Sequence, residues 1–196
     1  MAELLYQGHG SLRLKTSSGK VVYIDPYAGE GYEEPADLIL VTHQHYDHNC
    51  IEKPVKKDGC VIYQNTDALQ QGVYGTLQLD DIMVEAVQAY NHHHKKEECV
   101  GYIVSVDGIS IYFAGDTGET EDMAKMKERH LDYAVLPMDA TYTMDIEETM
   151  RCAKIINAKH TIPVHMKPGG LYDEERAKQF IVPGALLVRP GETITL

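Results

Sequence analysis

No stretch of the chain reaches the roughly eighteen consecutive apolar residues that a membrane-spanning helix requires, although 43% of its 196 residues are hydrophobic. That lack excludes a helical membrane protein. The opening segment MAELLYQGHGS has neither a basic leader nor an apolar signal core, so a cytoplasmic location is expected. Cysteine is sparse, and Cys50, Cys60, Cys99 and Cys152 lie far apart with no CxxC pair. Such spacing suits reduced thiols and excludes a disulfide framework. Positive charge is also scarce: 18 Lys and Arg stand against 30 Asp and Glu, a net charge of −12. A nucleic-acid backbone demands a basic surface, so it is excluded as a partner, whereas a small anionic ligand in a locally positive pocket is not. No linker, low-complexity tract or strong repeat divides the sequence, which is read as one domain over residues 1–196.

What is present is a rhythm of short apolar runs. LLYQGHGSLRLKT and KVVYIDPY read as two strands joined by the turn SSG, and ADLILVTH, CVIYQN and IMVEAVQAY as three more. VGYIVSVDGISIYFAG alternates on both sides of Asp107-Gly108, the pattern of a hairpin with a type I′ turn. EDMAKMKERH reads as a helix, LDYAVLPM as a strand, and DIEETMRCAKIIN as an amphipathic helix with Asp145 and Glu148 spaced as a capping box. HTIPVHM is expected as a strand, DEERAKQFIV as a helix and ALLVRP as the closing strand. Two packed sheets with helices outside, an α/β domain, follow from this order.

Titratable residues gather where the apolar runs end. VTHQHYDHN puts His43, His45, Asp47 and His48 within six positions, directly behind ADLIL. EAVQAY leads to His92, His93 and His94, SIYFAG to Asp116, and HTIPV to His165. If the strands run alike, these groups converge on one rim of the sheets, where α/β folds tend to carry sites. Crowded imidazoles and carboxylates beside a core strand would repel or suffer desolvation unless a cation held them, and a divalent metal is the natural candidate. Two histidines two apart can chelate one ion from an extended face, while the Asp-His pair reaches a second.

THQHYDH resembles the HxHxDH motif of the metallo-β-lactamase fold superfamily, and Asp116 in FAGDTG and His165 in IPVHM fall in that superfamily's order. YQGHGSLRLKT, VVYIDPY, VEAVQAYN, GYIVSVDGISIYFAGDTG and PMDATYTMD are similar to the branch that includes the L-ascorbate-6-phosphate lactonases. The resemblance implies a four-layer αββα sandwich and an enzyme, a metal-dependent hydrolase with two divalent metal ions, zinc first, with manganese or iron as alternatives. His43, His45 and His94 would hold one ion, with His92 and His93 as competitors for the third place. Asp47, His48 and His165 would hold the other, and Asp116 would bridge them. A hydroxide shared by the ions would attack a small ester, lactone or phosphoester, with Asp47 as the catalytic residue that orients it and passes its proton to the leaving group. A non-catalytic metal-binding or sensing protein and a diiron redox protein are the competing readings.

Around that set, His9 in GHGS resembles a histidine which the branch places near the site, Asp25 is read as orienting ligands, and Tyr142 as lining the pocket. His130 and His160 read as surface residues. Lys95, Lys96 and Lys167 follow two ligand positions closely and leave two readings open: solvated loop lysines, or an anion contact for the small-molecule substrate, with Lys167 foremost.

Overall fold

In the computed structural model, which describes residues 1–196, the first half of the chain lays down β1 (Glu3–Gly8), β2 (Ser11–Lys15), β3 (Val21–Ile24), β4 (Ala36–Val41) and β5 (Lys56–Gln64). A one-turn helix α1 (Asn65–Ala68) and a small hairpin of β6 (Leu69–Gln70) and β7 (Val73–Tyr74) lead out of it. Next come β8 (Thr76–Leu79), β9 (Ile82–Gln88), β10 (Val100–Val106) and β11 (Ile109–Phe113). Helix α2 (Glu121–Met126), extended by a 3₁₀ turn, leads to β12 (Tyr133–Pro137), and α3 (Ile146–Ile156) leads to β13 (His160–Val164). The short α4 (Glu174–Ala177) precedes β14 (Thr193–Thr195), which pairs with β1. Two six-stranded sheets result, ordered β14-β1-β2-β3-β4-β5 and β13-β12-β11-β10-β9-β8.

Strand alternation explains how the sheets stack. Leu38 and Leu40 of β4 face Tyr102 and Val104 of β10 and Phe113 of β11 in the central core. The alternate residues face outward: Ile103, Tyr112, Ala134 and Leu136 meet Met123, Met126, Cys152 and Ile156 from α2 and α3. On the far side, Tyr23, Ile39 and Val41 are covered by Tyr32 and Ile51, which lie in coil. Each fully buried side chain of this size contributes roughly 1.5–3 kcal/mol, so a slip by one residue, which exchanges the faces, is strongly disfavoured. The expected sandwich is there, with helices over one sheet and irregular chain over the other.

Three expectations about elements need correction. Residues 4–16 are not one strand but the hairpin of β1 and β2, which reverses at Gly8 and His9, with φ of +119° and +53°. The helix expected over 173–182 is helical only for Glu174–Ala177, after which Gln179 and Phe180 donate three residues back and the turn tightens. ALLVRP forms a single bridge between Ala185 and Thr161, because the Arg189 amide goes to the Glu192 carboxylate and turns the chain; β14 closes the sheet instead. The Asp107-Gly108 turn has both φ angles positive, +52° and +79°, as its type demands. Asp145 caps α3 by accepting from the Glu148 amide, while the Glu148 carboxylate reaches the Glu119 amide rather than back to the cap.

Strand sense decides where the polar ends go. β3 and β4 are parallel, and β1 shares their direction because both β1 and β3 pair antiparallel with β2. β11, β12 and β13 are parallel, and β9 shares their direction through antiparallel β10. The carboxyl ends of these seven strands therefore meet at one end of the sandwich.

Candidate metal centre

Every cluster residue stands just past one of those strand ends. The candidate ligand atoms fall into three overlapping groups, each within 4.8 Å: His43, His45 and His94; His43, His48 and Asp116; and His9, Asp47, His48 and His165. Asp116 sits between them. Its Oδ2 is 3.3 Å from His94 Nε2 and 3.4 Å from His165 Nε2, and its Oδ1 is 3.4 Å from His48 Nε2. Ligands bound at about 2.1 Å around a tetrahedral ion lie about 3.4 Å apart, so these separations suit one carboxylate shared by two ions. Nε2 of His43, His48, His94 and His165, together with Asp116 Oδ1, are buried without any hydrogen-bond partner. Leaving such groups dry costs roughly 1–3 kcal/mol each, and a divalent cation would satisfy all of them. The residues fit the implied ions. Imidazole and carboxylate without thiolate accommodate zinc, manganese or iron.

Behind the rings a second set of contacts fixes their orientation. His48 Nδ1 lies 2.8 Å from Asp25 Oδ2, and the Thr42 hydroxyl, which donates to the same oxygen, lies 3.0 Å from His43 Nδ1. His94 Nδ1 is 2.9 Å from Asn91 Oδ1, and His165 Nδ1 is 3.4 Å from Asp139 Oδ2. Asp139 Oδ1 is itself held by the amides of Thr141, Tyr142 and Thr143. The contacts behind Nδ1 of His43, His48 and His94 suit a proton on that nitrogen and turn Nε2 inward, whereas His165 Nδ1 and Asp139 Oδ2 face each other without a hydrogen bond. His9 bridges the Gly170 carbonyl and Asp47, with Nε2 3.0 Å from Oδ2. His9, Asp25 and His165 have φ of +53°, +46° and +45°, left-handed values that are strained for residues other than glycine. Backbone bonds hold the strain in place: His9 donates to Leu171 and accepts from His165, and Asp25 donates to Leu40.

The electrostatics alternate in sign. Burial pushes the Asp116 carboxyl up, but the His48 and His165 charges overcome it and hold it well below the usual carboxylate range. Burial would lower His48, yet Asp116 and Asp25 drive it well above its ordinary value. Burial likewise opposes His165, which Asp116 and Asp139 raise. His43 is pushed well down by burial and by His48. Asp47 is raised by burial but lowered further by the His9 hydrogen bond and the His48 charge, to about 2.

Of the histidine run, His94 is buried in the cluster while His92 and His93 are exposed. Tyr142 is 49% exposed beside the centre, at a cavity of about 580 Å³. Lys95 pairs with Glu98, Lys96 lies over the Tyr90 ring, and Lys167 is exposed with its stem against Gly170. His130 and His160 are exposed, away from the cluster. Sequence reading missed Thr42, Asn91 and Asp139. Asp139 carried a usable signal, a carboxylate just past the apolar run LDYAVLPM, the same placement as Asp116.

Residues 3–165 match the family model described as beta-lactamase superfamily domain. A protein of Methanoregula boonei named a metal-dependent hydrolase is 34% identical over 181 residues, 83% of this chain and 81% of its own. A Pyrococcus furiosus protein with the same description is 28% identical, with both chains covered in full. The solved structure of a metallo hydrolase from Ignicoccus hospitalis matches with a TM-score of 0.76 at 23% identity, covering 98% of this chain and 97% of that one. This last likeness is one of fold.

Proposed function

The chain belongs to the beta-lactamase superfamily domain family, and from that premise we propose that it is a metal-dependent hydrolase, dinuclear, which cleaves a small ester, lactone or phosphoester. The observation that carries this reading is the set of four inward-facing Nε2 atoms and Asp116 Oδ1, all buried and unpartnered. His43, His45 and His94 would hold one ion, Asp47, His48 and His165 the other, with Asp116 between the two sets. Bound divalent ions supply an acidified water as nucleophile and polarise a carbonyl or phosphoryl oxygen.

The chain's own residues do the rest. Asp25 locks His48 directly and His43 through Thr42, so two ligands from one loop keep their aim. Asp47 is half-buried at the mouth and, with its pKa near 2, stays ionised at neutral pH. It therefore acts as a fixed acceptor that orients the nucleophilic water, a better role for it than proton donor. Of Lys95, Lys96 and Lys167 only Lys167 is uncommitted, so an anionic group on the substrate would be met from the loop that follows His165. Resemblance to the lactonase branch places lactones first among the substrates to try.

A screen of lactones, carboxylic esters and phosphodiesters against protein of measured zinc or manganese content tests the proposal. Hydrolysis that disappears on chelation and returns with metal is expected. Full metal loading with no turnover of any of these classes would overturn it.

A further inference from the structure

A cavity of about 580 Å³ opens beside the centre, and none of the candidate ligands lines it. Its walls are nevertheless tied to them. Asn91, whose Oδ1 faces His94, donates through Nδ2 to the Tyr142 carbonyl at 2.8 Å. The Tyr142 amide in turn donates to Asp139, whose other carboxylate oxygen lies 3.4 Å from His165 Nδ1. Gly118, two residues past Asp116, donates to the Tyr90 carbonyl. A group bound here would lie against three loops, two of which hold the candidate ligands His94 and Asp116, while the third holds Asp139 beside His165.

The lining has a definite chemistry. Tyr90, His93 and Tyr142 supply ring faces and edges, with His93 and Tyr142 in an edge contact at 5.5 Å. Glu119 and Glu148 supply carboxylates, and no lysine or arginine is among the lining residues. Arg151 pairs with Glu119 at 2.8 Å and approaches Glu148 at 3.9 Å, which leaves one guanidinium against two carboxylates. Lys95 pairs with Glu98, and Lys96 already covers the Tyr90 ring at 5.2 Å, so the aromatic surface left for a ligand is that of His93 and Tyr142. Aromatic faces and residual negative charge attract cations and tolerate neutral rings, and they repel anions.

Building on the hydrolase reading, we infer that this cavity is the subsite for one side of the scissile bond and accepts a neutral or cationic aromatic group while rejecting an anionic one. Any anionic portion of the substrate lies on the Lys167 side. The test is equilibrium binding to the metal-loaded protein of three probes of one shape: benzyltrimethylammonium, benzyl alcohol and benzylsulfonate. The first two should bind, and the sulfonate at least about tenfold more weakly, as like-charge repulsion at a partly screened site requires. Tyr142→Ala should weaken the ammonium and the alcohol together, and Glu119→Gln should narrow the gap between ammonium and sulfonate, both with metal content unchanged. Equal or tighter binding of the sulfonate, or affinities untouched by Tyr142→Ala, would overturn the assignment. The readout needs no turnover, so a protein that sorts the probes this way yet hydrolyses nothing would count against the hydrolase reading and leave the subsite standing.

Discussion

Asp25 engages three groups with one carboxylate: the His48 ring, the Thr42 hydroxyl and the Thr42 amide, at 2.8, 2.6 and 2.8 Å. Partners of this kind typically change metal affinity by about 10–100-fold when lost. Asp25→Asn should therefore weaken metal binding by about that range while the fold persists, as read by competition with a chelator; wild-type affinity would contradict the orienting role. His94→Ala should remove about one metal equivalent, whereas His92→Ala and His93→Ala should keep both, because only His94 turns inward on Asn91. Metal analysis checks this, and loss of an equivalent from either exposed-histidine variant would contradict it. At this scale the cluster of candidate ligands was legible because its members are rare residue types placed just past apolar runs. Thr42 and Asn91 were not, since common polar residues acquire meaning only when backbone geometry sets them behind a ring.

Elements were legible where alternation or a turn motif carried the signal, as in the hairpin at Asp107-Gly108. They were misread where backbone conformation broke a continuous pattern. The reversal at His9 lies in Gly8-His9-Gly10-Ser11, a turn signal between two strand-forming runs that was read through as strand, and it is that reversal which brings His9 to Asp47. The coil that covers the first sheet depends on Gly29, whose φ is +66° and where a methyl group would collide with the Gln7 carbonyl oxygen. Both obstacles are backbone, so nothing flexible can yield. Gly29→Ala should destabilise the fold by at least about 2 kcal/mol, seen as a lower urea midpoint. An unchanged midpoint would show that this segment is not pinned as described.

Across the whole molecule, the candidate ligands come from strand ends of both sheets, so bound ions would act as a clasp on the sandwich as well as a reaction centre. Chelation should lower Tm, and metal should restore it. The pH dependence follows from His48 and His165, whose pKa values are raised above 6.5 in the folded protein. Without an ion, their contribution to stability is complete below pH 6.5 and is lost as pH rises through the folded values. Chelated protein should therefore lose Tm as pH rises above about 6.5, and loaded protein should lose much less. Because the ions compete with those protons, apparent metal affinity should rise over the same interval. A chelated protein whose Tm is flat or rising there would contradict this charge arrangement. The net charge of −12 and the convergence of parallel strand ends on one rim were both readable in advance; the cavity beside the rim was not, since its walls come from three separated loops.

The central claim is that a dinuclear centre performs hydrolysis, and it is met most directly by titrating zinc or manganese into chelated protein while bound metal and the hydrolytic rate on the best ester, lactone or phosphodiester are followed together. The account predicts saturation at about two equivalents, with the rate rising mainly as the second is bound. Saturation at one equivalent, or two bound equivalents with no hydrolysis, would contradict it.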